Sequence, residues 1–160
     1  MNSICIEDIK DKKILFVNVS KTYNKCAHKN ANCVTLGNWR INIERAKKVD
    51  YVMGVCNGEI KSVIAVKDAK QIISDFAENT FPCCDLQDCH RCQEKIYLRE
   101  VQKNPKNYAD DKDYQRLNGR VYFIEDISVN DSSMEKDYLQ KQLLTNNGEK
   151  FSNYVRYVNI

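Results

Sequence analysis

Apolar and β-branched residues gather in five short runs that are separated by polar segments. The runs occupy residues 13–19, 51–56, 59–66, 119–124 and 154–158. Val, Ile, Tyr and Phe are frequent in them, and short runs of this composition are typical of β-strands. The pattern therefore predicts five strands.

The shortest gap between two of these runs holds the dipeptide Asn57-Gly58. Asn-Gly readily supplies the two positive φ angles of a type I′ turn, so the runs on either side are predicted to form a β-hairpin. Ile60, Ile64 and Val66 are predicted to share one face of the second strand.

Three segments carry helix signals. Residues 41–48 are predicted to be a short helix, with Asn42 as its N-cap and two lysines in its last turn. Asp68 with Gln71, and Ser132 with Glu135, have the spacing of capping boxes. They predict one helix over residues 68–76 and another from residue 132 to about residue 146.

Two segments lack a regular apolar period. Residues 21–38 are polar and are predicted to be a long loop. Residues 79–118 contain both prolines and four of the eight cysteines, and we interpret them as a cysteine-containing insert or long loop region.

Strands that are interleaved with a few short helices, without regular β-α-β alternation, predict an α+β fold. We expect one domain over residues 1–160. Its centre is predicted to be a small, mostly antiparallel sheet that curls toward a β-barrel, with short helices at its flanks.

The composition, with 42% hydrophobic and 29% charged residues, is that of a folded globular chain. The opening residues lack the apolar run of a signal peptide, and no stretch of about 20 apolar residues is present. We therefore expect a cytoplasmic protein without a membrane partner. Residues 1–80 carry thirteen Lys and Arg against nine Asp and Glu, and residues 81–160 carry twelve against thirteen. This asymmetry is compatible with a basic face that meets phosphates, and also with an evenly solvated surface.

Six short motifs lie near the two ends of the chain. They are Trp39-Arg40, Arg45-Ala46, residues 50–55, residues 57–60, residues 119–123 and residues 156–159. In this order they resemble the PUA-like domains of prokaryotes, which are related to the ASCH, EVE and YTH types. The resemblance covers both ends of the chain but not the middle, residues 79–118. It implies a β-barrel that binds RNA or DNA, in EVE and YTH relatives by holding one modified base in an aromatic pocket.

Trp39, the one tryptophan, stands at the end of a polar segment beside several cationic residues. A flat indole ring can stack on an extruded base, and the neighbouring cations can bind the flanking phosphates. The residues predicted to bind a base or its phosphates are Trp39, Arg40, Arg45, Lys47, Lys48 and Tyr51. Tyr23 and Tyr122 are secondary candidates for the pocket. The alternative is that Trp39 fills the interior of the fold and the cations form a solvated helix face.

Four cysteines, Cys83, Cys84, Cys89 and Cys92, are close together in the sequence. Cys89-x-x-Cys92 has the spacing that presents two thiolates to one zinc ion, and Cys83 or Cys84 and His90 are candidates for the other ligands. Cys26, Cys33 and His28 are further candidates if the two segments meet in space. Structural zinc, reduced free thiols, and disulfide or redox use all remain open, whereas Cys5 and Cys56 are expected to be buried small residues.

No catalytic constellation is recognisable. Asp50 with Glu59 and Lys61 imitates the carboxylate pattern of metal-dependent nucleases. The predicted hairpin, however, separates the two carboxylates by six residues, on the order of 20 Å, which one Mg²⁺ cannot bridge. Two hypotheses lead. The first is a nucleic-acid-binding PUA-like module, and the second is a non-catalytic structural or protein-interaction domain with a zinc- or thiol-bearing insert.

Overall fold

The computed structural model describes residues 2–25, 30–84 and 89–160. Within these ranges the chain forms seven strands and six α-helices. The strands are β1 (Ser3–Cys5), β2 (Ile14–Asn18), β3 (Tyr51–Cys56), β4 (Glu59–Gln71), β5 (Val121–Glu125), β6 (Gln142–Leu144) and β7 (Val155–Val158). The helices are α1 (Ser20–Lys25), α2 (Ala31–Thr35), α3 (Ile43–Ala46), α4 (His90–Lys103), α5 (Lys112–Leu117) and α6 (Ser132–Tyr138).

The long strand β4 organises a mixed sheet. The strand order is β1-β6-β4-β3-β2-β7, and β5 pairs with the second half of β4. β1 and β6 are parallel, as are β2 and β3, whereas the other paired strands are antiparallel. The predicted α+β class and mostly antiparallel sheet are thus observed. The barrel is not, because the described strands leave β1 and β7 as open edges.

Alternation along the strands gives the sheet two buried faces. Leu15 and Val17 of β2 pack into a core that α2 and Trp39 also enter. Ile14 and Phe16 point to the opposite face, where α6 and Phe151 cover them. A third cluster joins the end of β4 and β5 to helices α4 and α5. Helices therefore cover both sides of the sheet, and the cleft described below opens beside the first face.

The hairpin at Asn57-Gly58 has the predicted turn, with φ of 51° and 83° at these two residues. One detail of the prediction is wrong. Gly54 pairs with Ser62 but Val55 pairs with Ile60, so Lys61 is the extra residue of a β-bulge. The bulge turns Ile60 toward the face of Phe16, whereas Ile64 and Val66 pack on the face of Leu15.

The helix predicted over residues 68–76 does not form. β4 continues to Gln71, and only a turn follows. Asp68 to Gln71 pair with β5 after a shift in register near Val66, and Asp68 accepts a hydrogen bond from the backbone of Ala69 rather than capping a helix. Cross-strand pairing therefore overrides a local capping signal.

The two segments predicted as loops contain helices. α1 and α2 lie between residues 20 and 35, and the segment 79–118 contains α4 and α5. The buried positions of α4 are spaced by three or four residues, but two of them, Arg91 and Glu94, are charged. Because charged residues occupy two of the buried positions, the sequence does not show the apolar period that predicts a helix.

The helix predicted at residues 41–48 is confirmed as the single turn α3, where the Asn42 side chain accepts from the Arg45 backbone N–H. α6 also begins as predicted, at Ser132, but ends at Tyr138, and residues 142–144 form β6 instead of more helix. In the part of the chain that the structure describes, every helix is too short or too polar to cross a lipid bilayer.

Candidate functional site

A cleft of about 750 Å³ opens where the start of α1, the segment before α3 and the chain before β7 meet. Its lining residues are Asn18, Ser20, Lys21, Thr22, Asn38, Trp39, Arg40, Arg120, Ser152 and Tyr154. They come from four separate parts of the sequence, and none of them is acidic. The volume is in the range of pockets that hold small ligands or cofactors.

Trp39 forms the inner wall of this cleft and is not an open platform. Its side chain is only 4% exposed and belongs to the core on the Leu15 face of the sheet. The indole Nε1 donates to the Thr35 carbonyl at 2.8 Å, so its one hydrogen-bond donor is already used. Its backbone pairs with Val121 of β5. The ring is therefore part of the core, as in the second sequence alternative, and a cavity lies beside it.

Tyr154 is the exposed aromatic residue of the cleft, and the sequence analysis assigned it no site role. Its side chain is 51% exposed, and its ring meets Trp39 edge to face with centroids 5.6 Å apart. The Tyr154 hydroxyl accepts a hydrogen bond from the Arg40 backbone N–H at 3.1 Å, which fixes the ring against the wall. A ring held in this way can stack on a planar ligand with little loss of conformational entropy.

Three cations, Lys21, Arg40 and Arg120, line the cleft. Among the described residues, no carboxylate lies within ion-pair distance of any of them. Burial lowers the pKa of Arg120, and the nearby charge of Arg40 lowers it further. The Nε of Arg120 is buried and has no acceptor among the described residues. Positive charge is thus concentrated here without an ion-pair partner among the described residues, although Glu94 is near enough to raise the pKa of Arg120 in part. This arrangement favours an anionic ligand.

Asn38, the residue before Trp39, connects the cleft to helix α4. Arg91 Nη1 donates to Asn38 Oδ1, and Asn38 Nδ2 donates to Glu94 Oε2, both at 2.6 Å. Arg91 also donates to the Gly37 carbonyl. Arg91 and Glu94 are 7% and 5% exposed, and they lie 3.6 Å apart as an ion pair. The pKa of Glu94 is about 2: burial would raise it, but the His90 hydrogen bond, Arg91 and Asn38 outweigh burial.

The other residues predicted to bind a base or phosphate do not line the cleft. Arg45 packs its guanidinium over the Tyr157 ring, 4.2 Å from the centroid. Lys47 and Lys48 are exposed after α3, outside the lining. Tyr51 packs on the Phe16 face of the sheet, opposite Trp39. Of the two secondary candidates, Tyr23 packs beside the Leu15 core and Tyr122 is buried in the third cluster. Only Trp39 and Arg40 of the predicted set meet at the cleft.

The cysteines of the middle segment converge around the start of α4. The sulfurs of Cys84, Cys89 and Cys92 lie within 4.8 Å of one another, a group that could hold a metal ion. Cys83 Sγ is 2.7 Å from Cys92 Sγ. Tetrahedral zinc with bonds of about 2.3 Å places its sulfur ligands roughly 3.8 Å apart, between these two values. Cys83 lies outside the three-sulfur group, so it would have to move to become a fourth ligand.

The thiols of this cluster differ in acidity. Burial would raise the pKa of Cys89, but hydrogen bonds from Cys84 and from backbone N–H groups lower it to about 7. Burial, together with the neighbouring Cys83, raises the pKa of Cys92 to about 12. Burial raises the pKa of Cys33 to about 12, and Cys33 also lies close enough to the cluster to interact with its charges. A divalent cation would relieve the repulsion between thiolates held this close.

The remaining sulfur and imidazole candidates are placed as follows. His90 points its Nε2 at Glu94, at 3.2 Å, and is not in the sulfur group. Cys26 and His28 lie outside the described residues. Cys56 is buried as expected, whereas Cys5 is only partly buried and contacts the Thr145 carbonyl.

No family model matches the chain, and no curated protein or solved structure was found to be similar to it. The cleft and the sulfur cluster are therefore interpreted from their own chemistry.

Proposed function

We propose that this chain binds single-stranded nucleic acid at the cleft, with one base beside Tyr154 and the flanking phosphates on Lys21, Arg40 and Arg120. The observation that carries the proposal is the combination, in one concave site, of an exposed, fixed aromatic ring with three cations that have no ion-pair partner among the described residues. Base stacking and phosphate contacts are the two terms that dominate single-strand binding. The sequence resemblance to PUA-like domains implies the same class of ligand.

The site differs from the one expected from the sequence in one respect. The aromatic ring that meets the base is that of Tyr154 and not that of Trp39. Trp39 is too buried to offer a flat face, so it acts as the wall that supports Tyr154. The polar groups of Asn18, Asn38 and Ser152 line the same space. They provide donors and acceptors for the edge of a base.

The test is binding of short labelled RNA and DNA single strands, measured by fluorescence anisotropy at salt concentrations from about 50 to about 200 mM. Affinity should fall with salt, and Lys21→Gln and Arg120→Gln should each reduce the salt slope by about one. Tyr154→Ala should weaken binding by about 1–3 kcal/mol at every salt concentration. Lys106→Gln is the matched control, because Lys106 is exposed and outside the cleft. The absence of salt-dependent binding to RNA and to DNA would exclude the proposal.

A second function rests on the sulfur cluster. We propose that Cys83, Cys84, Cys89 and Cys92 hold a structural zinc ion that fixes the middle segment to the start of α4. A structural zinc ion stabilises a segment that has little hydrophobic core of its own. A domain that contains such an ion also serves as a structural or protein-interaction module. Metal analysis of the purified protein should find one zinc per chain, lost when Cys89 and Cys92 are both replaced by Ser. Metal-free protein whose thiols all react with a thiol reagent would exclude the site.

A further inference from the structure

The sulfur cluster and the cleft share one structural element, the first turn of α4. Cys89 is the N-cap residue of this helix and Cys92 lies in its first turn. Arg91 and Glu94 belong to the same stretch and bind the Asn38 side chain, which lines the cleft. One turn of helix thus carries sulfur ligands on one side and the support of a cleft residue on the other.

Most contacts on the cleft side are made with Asn38, and Arg91 also donates to the carbonyl of the preceding residue, Gly37. The Asn38 Oδ1 accepts from Arg91 and its Nδ2 donates to Glu94, so the orientation of the amide is fixed by both of its atoms. One Nδ2 hydrogen and one Oδ1 lone pair remain after these two bonds are counted. Because Arg91 and Glu94 are buried and paired with each other, they are expected to move together with the helix turn and not singly.

On the sulfur side, the N-cap position of α4 is occupied by Cys89 and not by the Ser, Asp or Asn that usually stands there. Cys83 and Cys84 approach the turn from the preceding segment. Phe81 anchors the preceding segment in the third cluster, and the sulfurs that follow it crowd the start of α4. A thiophilic divalent ion would bind these sulfurs at one centre.

We propose that metal occupancy of the thiolate site controls the cleft: a thiophilic divalent cation of the zinc class fixes the first turn of α4, and Arg91 and Glu94 transmit this to Asn38 and the Trp39 wall. The metal-free protein then retains its sheet, but the cleft wall is no longer held in one arrangement. The ligand affected is the one that the proposed function assigns to the cleft, and to that extent this inference rests on it. The coupling itself is a property of the protein and is measurable without any ligand.

Trp39 offers a direct readout, because it is the one tryptophan of the chain and the neighbour of Asn38. Zn²⁺ is added to metal-free, reduced protein while Trp39 emission is recorded, and Co²⁺ absorption is used separately to measure occupancy of the thiolates. Zn²⁺ should change the Trp39 emission until one equivalent is bound. Exchange of the Trp39 backbone N–H with solvent should slow over the same titration.

Two variants, each with an Asn replaced by Ala, distinguish transmission of the effect to Trp39 from metal binding itself. Asn38→Ala removes the side-chain link to Arg91 and Glu94 but leaves the bond from Arg91 to the Gly37 carbonyl. It should bind Co²⁺ as the parent does but show a clearly smaller Trp39 response. Asn18→Ala removes another cleft amide, whose hydrogen bonds among the described residues are with Ser20 and Ser152. This control should keep the response. An unchanged Trp39 signal on metal binding, an equal response in Asn38→Ala, or no metal binding at all would each overturn the proposal.

Oligonucleotide binding distinguishes this inference from the proposed function. Zinc-loaded protein should bind single-stranded RNA or DNA at least about fivefold more tightly than metal-free protein, the lower end of typical coupling between two sites. Equal affinity with and without zinc would overturn the coupling and leave the cleft function standing. A Trp39 response without any oligonucleotide binding would support the coupling and exclude nucleic acid as the ligand.

Discussion

Asn38 and Glu94 are 56 positions apart in the sequence, yet the amide nitrogen of one donates to the carboxylate of the other at 2.6 Å. Glu94 is 5% exposed and also meets Arg91 and His90. A carboxylate with three polar partners can remain ionised in the protein interior. This contact joins the middle segment, which the sequence suggested was an insert, to the wall of the cleft.

The first prediction concerns the pH dependence of stability. Its partners depress the folded-state pKa of Glu94 to about 2, below its ordinary value of 4.5. The stabilisation is therefore fully present above about pH 4.5 and is lost as the pH falls toward 2, where the folded carboxyl is also protonated. Glu94→Gln should lower the free energy of unfolding by about 3 kcal/mol at neutral pH. The difference from the parent should shrink between pH 4.5 and 2.

Urea unfolding across this pH range measures the effect, with chelator and reducing agent present so that the protein is metal-free. Glu149→Gln is the matched control, because the Glu149 side chain is exposed. It should change the free energy of unfolding by less than about 0.5 kcal/mol. A Glu94→Gln difference that is the same at pH 7 and at pH 2 would contradict the assignment.

The second prediction separates the two aromatic residues of the cleft. Trp39→Ala removes a buried ring and should lower the free energy of unfolding by about 3–5 kcal/mol. Tyr154→Ala removes a half-exposed ring and should cost about 1 kcal/mol, mostly the edge-to-face contact. Urea unfolding, monitored by circular dichroism, compares the two variants without relying on tryptophan fluorescence. If Trp39→Ala proved as mild as Tyr154→Ala, the indole would not be part of the core.

The elements predicted correctly from the sequence are those fixed by local chemistry. Asn57-Gly58 determines its turn through two positive φ angles, and Asn42 caps α3 with its own side chain. The bulge at Lys61 was not predictable, because it depends on register against the partner strand. The capping signal at Asp68 failed for a similar reason, since β5 is an available partner for β4.

The candidate site was predicted only in part because its residues are distant in sequence. Trp39 and Arg40 were found from their local context, whereas Lys21 and Tyr154 reach the cleft only through the order of strands in the sheet. Arg120 stands in a motif of the family resemblance, and that signal alone could have marked it. Three of the four predicted cysteines, Cys84, Cys89 and Cys92, do meet as a group that could hold a metal ion, since residues that are close in sequence need only a turn to approach one another.

The third prediction concerns the contact between α2 and β3. A Cβ added to Gly54 would lie 2.0 Å from Thr35 Oγ1 and 3.2 Å from Thr35 Cβ. Both residues are buried, so neither can easily move away. Gly54→Ala should lower the free energy of unfolding by about 1–3 kcal/mol through overpacking. Adding Thr35→Ala should restore part of this loss, because it removes the hydroxyl in the way. A double-mutant cycle by urea unfolding measures the coupling, and additive effects would contradict the clash.

The last prediction concerns the fourth ligand of the proposed metal site. Cys83 Sγ already lies 2.7 Å from Cys92 Sγ, whereas Cys33 is buried in α2 and lies outside the group of sulfurs that approach one another. Cys83→Ser should therefore weaken zinc binding by more than about tenfold, a loss at least as large as that of a supporting group. Cys33→Ala should leave the affinity within about threefold of the parent, a free-energy change below about 0.7 kcal/mol. Competition against a chromophoric chelator measures both affinities, and the reverse order would place Cys33 among the ligands instead of Cys83.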